Sequence, residues 1–448
     1  MGKGRTAMTE GSIPRHLLRF SIPAILGDLF QVTYNTVDSV IVGKYAGAGA
    51  LAAVGVASPL MNIAMFFIIG VGIGASVLMS EFYGARDLRS LRREFATTLA
   101  IGAAFSATIA LGLFALAEPL LRLCRTPAEI LAPTALYLRI VALGMVVTSL
   151  YNILAATSRA IGDTVTPLIC LVAGSLLNVG LDLLFVAVWG WNVAGAAYAT
   201  VIAQGVAAAL CAALLYRNER VLFAERRELR VDRGLLKRTF RYSYASALQQ
   251  AGIYVGKLLV QSAVNPLGVH AIAAFNAVNR IDDYALIPQR DIANGETALV
   301  AQNHGARRPE RMRQGFLVTQ AIEAVYGLAV SVAIFALARP LMALFVAPEE
   351  TEVIRLGARY LRLMGFFYVM PGITNGLQGW MRATGRIQLT MFVTYGQMLT
   401  RAAFTFLLIH RLALDAVPLA CAMGWTVMLA WEGGLMLKWR KEGKLYAL

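Results

Sequence analysis

Phe114-Ala-Leu-Ala-Glu-Pro-Leu120 reappears 221 residues later as Phe335-Ala-Leu-Ala-Arg-Pro-Leu341. The same shift carries Gly84-Ala-Arg86 onto Gly305-Ala-Arg307. A shift of 223 carries Tyr137-Leu-Arg139 onto Tyr360-Leu-Arg362, Asn152 onto Asn375, and Arg159-Ala-Ile-Gly162 onto Arg382-Ala-Thr-Gly385. One small insertion reconciles the two shifts. Agreement at five separated places in nearly one register marks a tandem repeat. It divides the chain into a first half, 1–216, an Arg-rich linker, 217–241, and a second half, 242–448.

What repeats is apolar. The chain is 58% hydrophobic and only 15% charged, with mean hydropathy +0.62, whereas soluble domains carry about 25% charged residues. That places it in a membrane. Runs long enough to span occur at roughly 20–42, 56–80, 96–117, 134–156, 166–188, 193–215, 243–264, 273–300, 316–338, 358–379, 388–409 and 416–437. The expected fold is therefore an all-α integral membrane protein with twelve transmembrane helices in two pseudo-symmetric six-helix lobes. Six is even, so both halves enter from the same side and the two-fold axis runs along the membrane normal, a transporter device.

The net charge of +15 suggests nucleic acid, but the basic residues sit in short stretches between hydrophobic runs. Most of the 41 Lys and Arg fall on one side if the N-terminus is inside, including Lys3, Arg5, Arg86, Arg226, Arg227, Arg307 and Lys444. Lys and Arg favour the cytoplasmic side, so both termini are expected there, in a bacterial or archaeal inner membrane. The basic N-terminus leads into a run too long for a signal-peptide core. The four cysteines (Cys124, Cys170, Cys211, Cys421) form no CxxC or Cys/His pattern, so neither a disulfide framework nor a zinc site is expected.

A charge inside a bilayer is costly and marks function until it is paired. Asp38 lies roughly 27 Å along helix 1 from residue 20, and Asp182 roughly 24 Å along helix 5 from residue 166, at 1.5 Å per residue. Both helices run outward. Thr200, about seven residues into helix 6 from the outside, reaches a similar depth by the same rise. Asn178 shares the face of Asp182, four residues on. These four oxygen-bearing side chains suit a proton held between two carboxylates or a sodium ion held by hard oxygen ligands. The competing structural reading has Asp38 capping or snorkelling near a helix end and Asp182 bonded to Asn178. Gln31, Tyr34, Asn35, Asn152, Gln204, Gln261, Asn276, Asn279, Asp282 and Asn375 are candidate lining residues for a mixed apolar and hydrogen-bonding cavity. Helix 8 concentrates charge (Arg280, Asp282, Asp283, Arg290, Asp291, Glu296), and much of it is expected to be self-paired. Lys257 on helix 7 is a partner for a helix 8 carboxylate.

The ordered set Asn35-Thr-Val-Asp38-Ser-Val-Ile-Val-Gly43, Ala50-Leu-Ala-Ala-Val-Gly55, Arg159-Ala-Ile-Gly-Asp163-Thr-Val-Thr-Pro167, Leu177-Asn178-Val-Gly-Leu-Asp182, Gly195-Ala-Ala-Tyr-Ala-Thr200 and Gln302-Asn-His-Gly-Ala306 resembles the multidrug and toxic compound extrusion (MATE) transporters over essentially the whole chain. The resemblance implies a V-shaped transporter with a central cavity between its lobes, exporting organic cations and other amphiphiles in exchange for protons or sodium. It implies a first-lobe cation site at Asp38, Asn178, Asp182 and Thr200. Another branch couples through acids on helices 7 and 8, but helix 7 here carries Lys257 and no acid. No cofactor is expected, and the working unit is expected to be a monomer whose partners are the bilayer and its small-molecule substrates.

Two other readings remain at this point. Lys257, Arg280, Arg290 and Arg401 keep open a lipid-linked saccharide flippase of the same superfamily. An intramembrane enzyme would need a nucleophile, a metal cluster or a second acidic motif beside Asp282-Asp283. The chain has no HExxH, GxSxG or P-loop, and its four histidines are scattered, so it reads as neither an enzyme nor an ATP-driven pump.

Overall fold

The computed structural model describes residues 8–223 and 230–443. Lys3, Arg5, Arg226, Arg227 and Lys444, counted above for topology, lie outside the described residues. In the first half of the chain lie α1 (Ile13–Ile41), α2 (Gly47–Gly84), α3 (Leu88–Leu123), α4 (Ala128–Ala160), α5 (Val165–Asp182) and α6 (Asn192–Asn218). The chain continues through α7 (Arg233–Val264), α8 (Val269–Gly305), α9 (Pro309–Ala343), α10 (Thr351–Gly365), α11 (Val369–Ala383), α12 (Ile387–Leu412) and α13 (Ala416–Lys441).

The two compact units follow packing rather than strict chain order. One gathers the described residues of Ile22–Ala247, and the other gathers Met8–Ser21 with the described residues from Leu248 onward. In the second unit, the segment before α1 is tied to the α8–α9 turn: Gln302 accepts from the Met8 backbone N–H at 2.9 Å, and Arg308 donates to the Thr9 carbonyl at 2.6 Å. In the first unit, α2 meets the start of α7 at two glycines four residues apart. A Cβ on Gly70 would stand 2.4 Å from Ala247 Cα, and one on Gly74 would stand 2.4 Å from Ser243 N. Small residues at this spacing let helix backbones approach closely inside a membrane.

The repeated residues turn out to be helix stops. Gly162 and Gly385 both have positive φ (86° and 80°), and each stands just past its helix, where only glycine avoids a Cβ penalty. Asp163 N–H bonds Ser158 O at 2.8 Å, and its repeat mate Arg386 N–H bonds Met381 O at 2.8 Å. Arg86 (φ 59°) and Arg307 (φ 55°) end α2 and α8 in the same manner. Asp163, within the family-like segment, caps α5: its Oδ1 accepts from the N–H groups of Val165 and Thr166, both at 3.1 Å, satisfying donors that a helix start leaves free.

Seven helical stretches among the described residues are long and apolar enough to cross a membrane by length and composition, the last, Ile387–Lys441, holding both α12 and α13. The helices outside that set (α1, α7, α8, α10 and α11) carry most of the intramembrane charge. The span at 358–379 is expected as one helix, but the structure breaks it into α10 and α11. Pro371, three residues into α11, has no N–H to give the Phe367 carbonyl, and its ring crowds that group. The repeat mate of Pro371 is Thr148, and α4 runs unbroken through it. At the break, the Tyr368 carbonyl accepts from Gln289 Nε2 of α8 at 2.8 Å, and Gly327 of α9 brings its backbone against Tyr368 and Val369.

Candidate cation-coupling site

Asp38 lies in the last turns of α1 and Asp182 is the last residue of α5. A wide π-type turn follows each helix, at Val42–Ala46 and Leu183–Val188; such turns recur at functional sites because they loosen the regular backbone ladder. The two carboxyl groups face each other within hydrogen-bonding reach. Each also keeps one buried oxygen, Oδ1, without a partner among the described residues. Asp182 is fully buried. Both acids come from elements of the first unit.

Asn178 joins them to α6. In the amide orientation that satisfies both its ends, Nδ2 donates to Asp182 Oδ2 at 3.1 Å and the amide oxygen accepts from the Thr200 backbone N–H at 3.1 Å. Thr200 thus meets the site through its main chain. Its hydroxyl donates to the Ala196 carbonyl of its own helix at 2.9 Å, the usual back-bond of a threonine within a helix.

A small cavity of about 10 Å³ adjoins this cluster, lined by Tyr34, Tyr151, Ser175, Asn178 and Gln204 among others. That is about the volume one water needs, and the Gln204 Oε1 is buried without a partner among the described residues. Tyr34 precedes Asp38 by one turn and stands beside both acids. So does Tyr137 of α4, which is buried. Charge and polarity scanning along the sequence passes over Tyr137, although the repeat marks it: its mate Tyr360 stands beside Asp282 and Arg401 in the second unit.

The other candidates are more dispersed. Gln31 and Asn35 lie on the exposed face of α1, and Asn276 on an exposed face of α8. Asn152 donates to the Thr148 carbonyl one turn back at 2.8 Å. Gln261 donates to Asn265 at 2.9 Å. Asn279 and Asn375 are half-buried. Asp282 accepts from the Tyr368 hydroxyl at the α10–α11 break, with the Arg401 guanidinium of α12 nearby.

The α8 acids divide between partners on their own helix and partners on others, with the Asp291 carboxylate accepting from Asn294 Nδ2 of α8 at 3.3 Å. Three other α8 acids meet groups outside the helix: Asp283 with Lys257 of α7 at 3.2 Å, Asp282 with Tyr368, and Glu296 with Arg382 of α11 as a nearby positive charge. Glu296, Glu323 and Glu432 are all fully buried. Among the described residues, no three His, Cys, Asp or Glu side chains converge as a metal cage would require.

The fold and these intramembrane polar groups define a membrane transporter. The family model MatE matches residues 23–184 and again 245–407, one match per repeat. The chain belongs to the MatE family, whose members are transporters, and it is not an enzyme. It is 28% identical to "Probable multidrug resistance protein YpnP" of Bacillus subtilis, over 84% of each chain. It is 26% identical to "Probable multidrug resistance protein YoeA" of the same organism, over 97% of this chain and 96% of the relative. A crystal structure of MATE in complex with MaL6 superposes with TM-score 0.91 at 23% identity, covering 98% of this chain and all of that one.

Proposed function

We propose that this protein is a proton-coupled efflux transporter of amphiphilic, cationic organic compounds, working by alternating access with both termini in the cytoplasm. The observation that carries the reading is the contact between Asp38 and Asp182, from two different helices, with Asn178 buttressing one of them. Two carboxylates this close in a low-dielectric site cannot both ionise without repulsion, and a proton between them removes it. A ligand that binds one conformation better shifts the equilibrium toward that conformation. A proton on this pair is such a ligand.

Proton is favoured over sodium by how the other two oxygens are spent. The Asn178 amide oxygen is bonded to a backbone N–H, and the Thr200 hydroxyl points to its own helix. A sodium ion would need oxygen ligands turned toward it. Multidrug export as the activity is supported by the names of the relatives matched over most of their length, which describe multidrug resistance or multidrug export and not a lipid-linked saccharide flippase.

The test is ethidium efflux from cells expressing the wild type, Asp38→Asn or Asp182→Asn. Both variants should accumulate the dye like cells without the protein. Wild-type efflux by both variants would refute coupling at this pair.

A further inference from the structure

The second unit carries a cavity of about 540 Å³ between α9 and α10, lined by Phe335, Arg339, Arg355, Arg359, Arg362 and Phe366. The arginines of α10 recur at 355, 359 and 362 with Phe366 beyond them, a spacing that keeps all four on one helix face. Phe335 and Arg339 stand one turn apart on α9. Phe335 and Phe366 meet edge to face at 5.7 Å.

Two acids neutralise part of this charge. Glu352 holds Arg355 with bonds of 2.7 and 2.8 Å, and Asp415 holds Arg359 at 2.5 Å. Arg339 and Arg362 are exposed and have no acidic partner among the described residues. Arg362 lies eleven residues inside α10, roughly 16 Å along the helix axis.

The surroundings are those of a lipid-facing surface. Val325 (70% exposed), Leu328 and Val332 of α9 present bare side chains beside the cavity. An unpaired guanidinium on such a face costs several kcal/mol unless it snorkels or finds an anion. The repeat provides an internal comparison. The first-half counterparts of Arg339, Arg355 and Arg359 are Glu118, Ala132 and Leu136. Only Arg362 has a basic mate, Arg139, and that one is stacked over Phe114 at 5.8 Å. The second half has therefore gained three arginines on a face where topology disfavours them, next to a phenylalanine, Phe335, that both halves share.

We infer that the α9–α10 cavity binds the headgroup of an anionic phospholipid, its phosphate held by Arg339 and Arg362 and its acyl chains lying along Phe335, Phe366 and the apolar face of α9. Guanidinium forks match phosphate oxygens, and the lining passes from Arg339 and Arg355 near the α9–α10 connection to Phe335 and Phe366 farther along the two helices. The site is separate from the carboxyl pair, so it stands whether or not that pair couples transport.

The test measures lipid binding to the purified full-length protein in neutral detergent, by native mass spectrometry and by thermal unfolding. The probes are phosphatidylglycerol, phosphatidylcholine and inorganic phosphate, offered to the wild type and to the double variant Arg339→Glu/Arg362→Leu. Arg339→Glu changes the charge by two units and Arg362→Leu by one, so at about fivefold per unit charge the double variant should bind phosphatidylglycerol roughly a hundredfold more weakly. Phosphatidylcholine should not distinguish the two proteins, and inorganic phosphate should not raise the wild-type melting temperature. Equal phosphatidylglycerol binding by both proteins overturns the inference. Stabilisation by inorganic phosphate equal to that by phosphatidylglycerol also overturns it, in favour of a free-anion site. If the double variant proves unstable, Arg362→Gln replaces it: about fivefold weaker binding is expected, and unchanged binding overturns the inference.

Discussion

Asp182→Asn separates coupling from everything else the carboxyl pair does. Asparagine has nearly the same shape, and its amide oxygen can still accept the bond that Asn178 Nδ2 now gives to Asp182 at 3.1 Å, so the fold should persist. What disappears is the second charge. Two unit charges about 4 Å apart in an effective dielectric of about 20 repel by about 4 kcal/mol. A proton on the pair can therefore bias one conformation over the other by up to a factor of about a thousand. In the variant there is no repulsion to relieve, and that bias vanishes. The assay is ethidium efflux from proteoliposomes with and without an imposed gradient of two pH units, worth about 2.7 kcal/mol per proton. The wild-type rate should rise severalfold to tenfold with the gradient. For Asp182→Asn the ratio of the two rates should fall to about one while dye binding stays within about twofold, since removing a coupling group leaves substrate contacts alone. A gradient response in Asp182→Asn equal to that of the wild type would refute the reasoning.

Three further outcomes are expected. Tyr137→Phe keeps the packing of α4 but removes a hydroxyl beside both acids, and it should weaken the pH-gradient response several-fold with little change in melting temperature; an unchanged response would remove Tyr137 from the site. Gly74→Leu forces a side chain into the Ser243 backbone; overpacking of this kind costs about 1–3 kcal/mol or more and should appear as a melting temperature lowered by several degrees in detergent, whereas Gly112→Leu, at a position with open space around it, should not. Asp232, ahead of α7, accepts from Gly234 N at 2.8 Å and Leu235 N at 3.1 Å, and these backbone bonds, together with Arg93, hold its carboxyl below the ordinary aspartate range. Its lowered folded value means that its contribution is complete above the ordinary aspartate pKa of about 3.9 and is lost as pH falls through the lower folded value. Asp232→Asn should therefore lower the melting temperature at pH 7 and flatten its dependence on pH in the acid limb; the same acid slope in variant and wild type would count against the cap.

Much of this arrangement is legible in the sequence, and the parts that are not have physical reasons. Tandem helix stops such as Gly162 and Gly385 survive as identities because a left-handed backbone tolerates few alternatives, so the repeat can be read directly. That Asp38 and Asp182 lie at one depth follows from helix direction and rise; that their carboxyls face each other does not, because which helix faces meet is decided by packing. The role of Thr200 does not, because whether a threonine hydroxyl turns to its own helix or to a neighbour depends on the opposing side chain, here Asn178. The break between α10 and α11 is signalled by Pro371, but hydropathy over the 358–379 run hides it. The partners that the α8 charges find on other helices are invisible along the chain for the same reason. Tyr137 is apolar enough to pass for core, and only its repeat mate beside Asp282 exposes the pattern.

The central claim is that proton binding at Asp38 and Asp182 drives export, and the most direct measurement imposes the two candidate gradients one at a time. Purified protein in proteoliposomes is given a pH gradient with sodium absent from both sides, and in a separate preparation a sodium gradient at equal pH, while ethidium movement is followed by fluorescence. The pH gradient alone should drive dye against its concentration difference, and the sodium gradient alone should not. Dye movement driven by sodium at equal pH, with none under the pH gradient, would contradict the account.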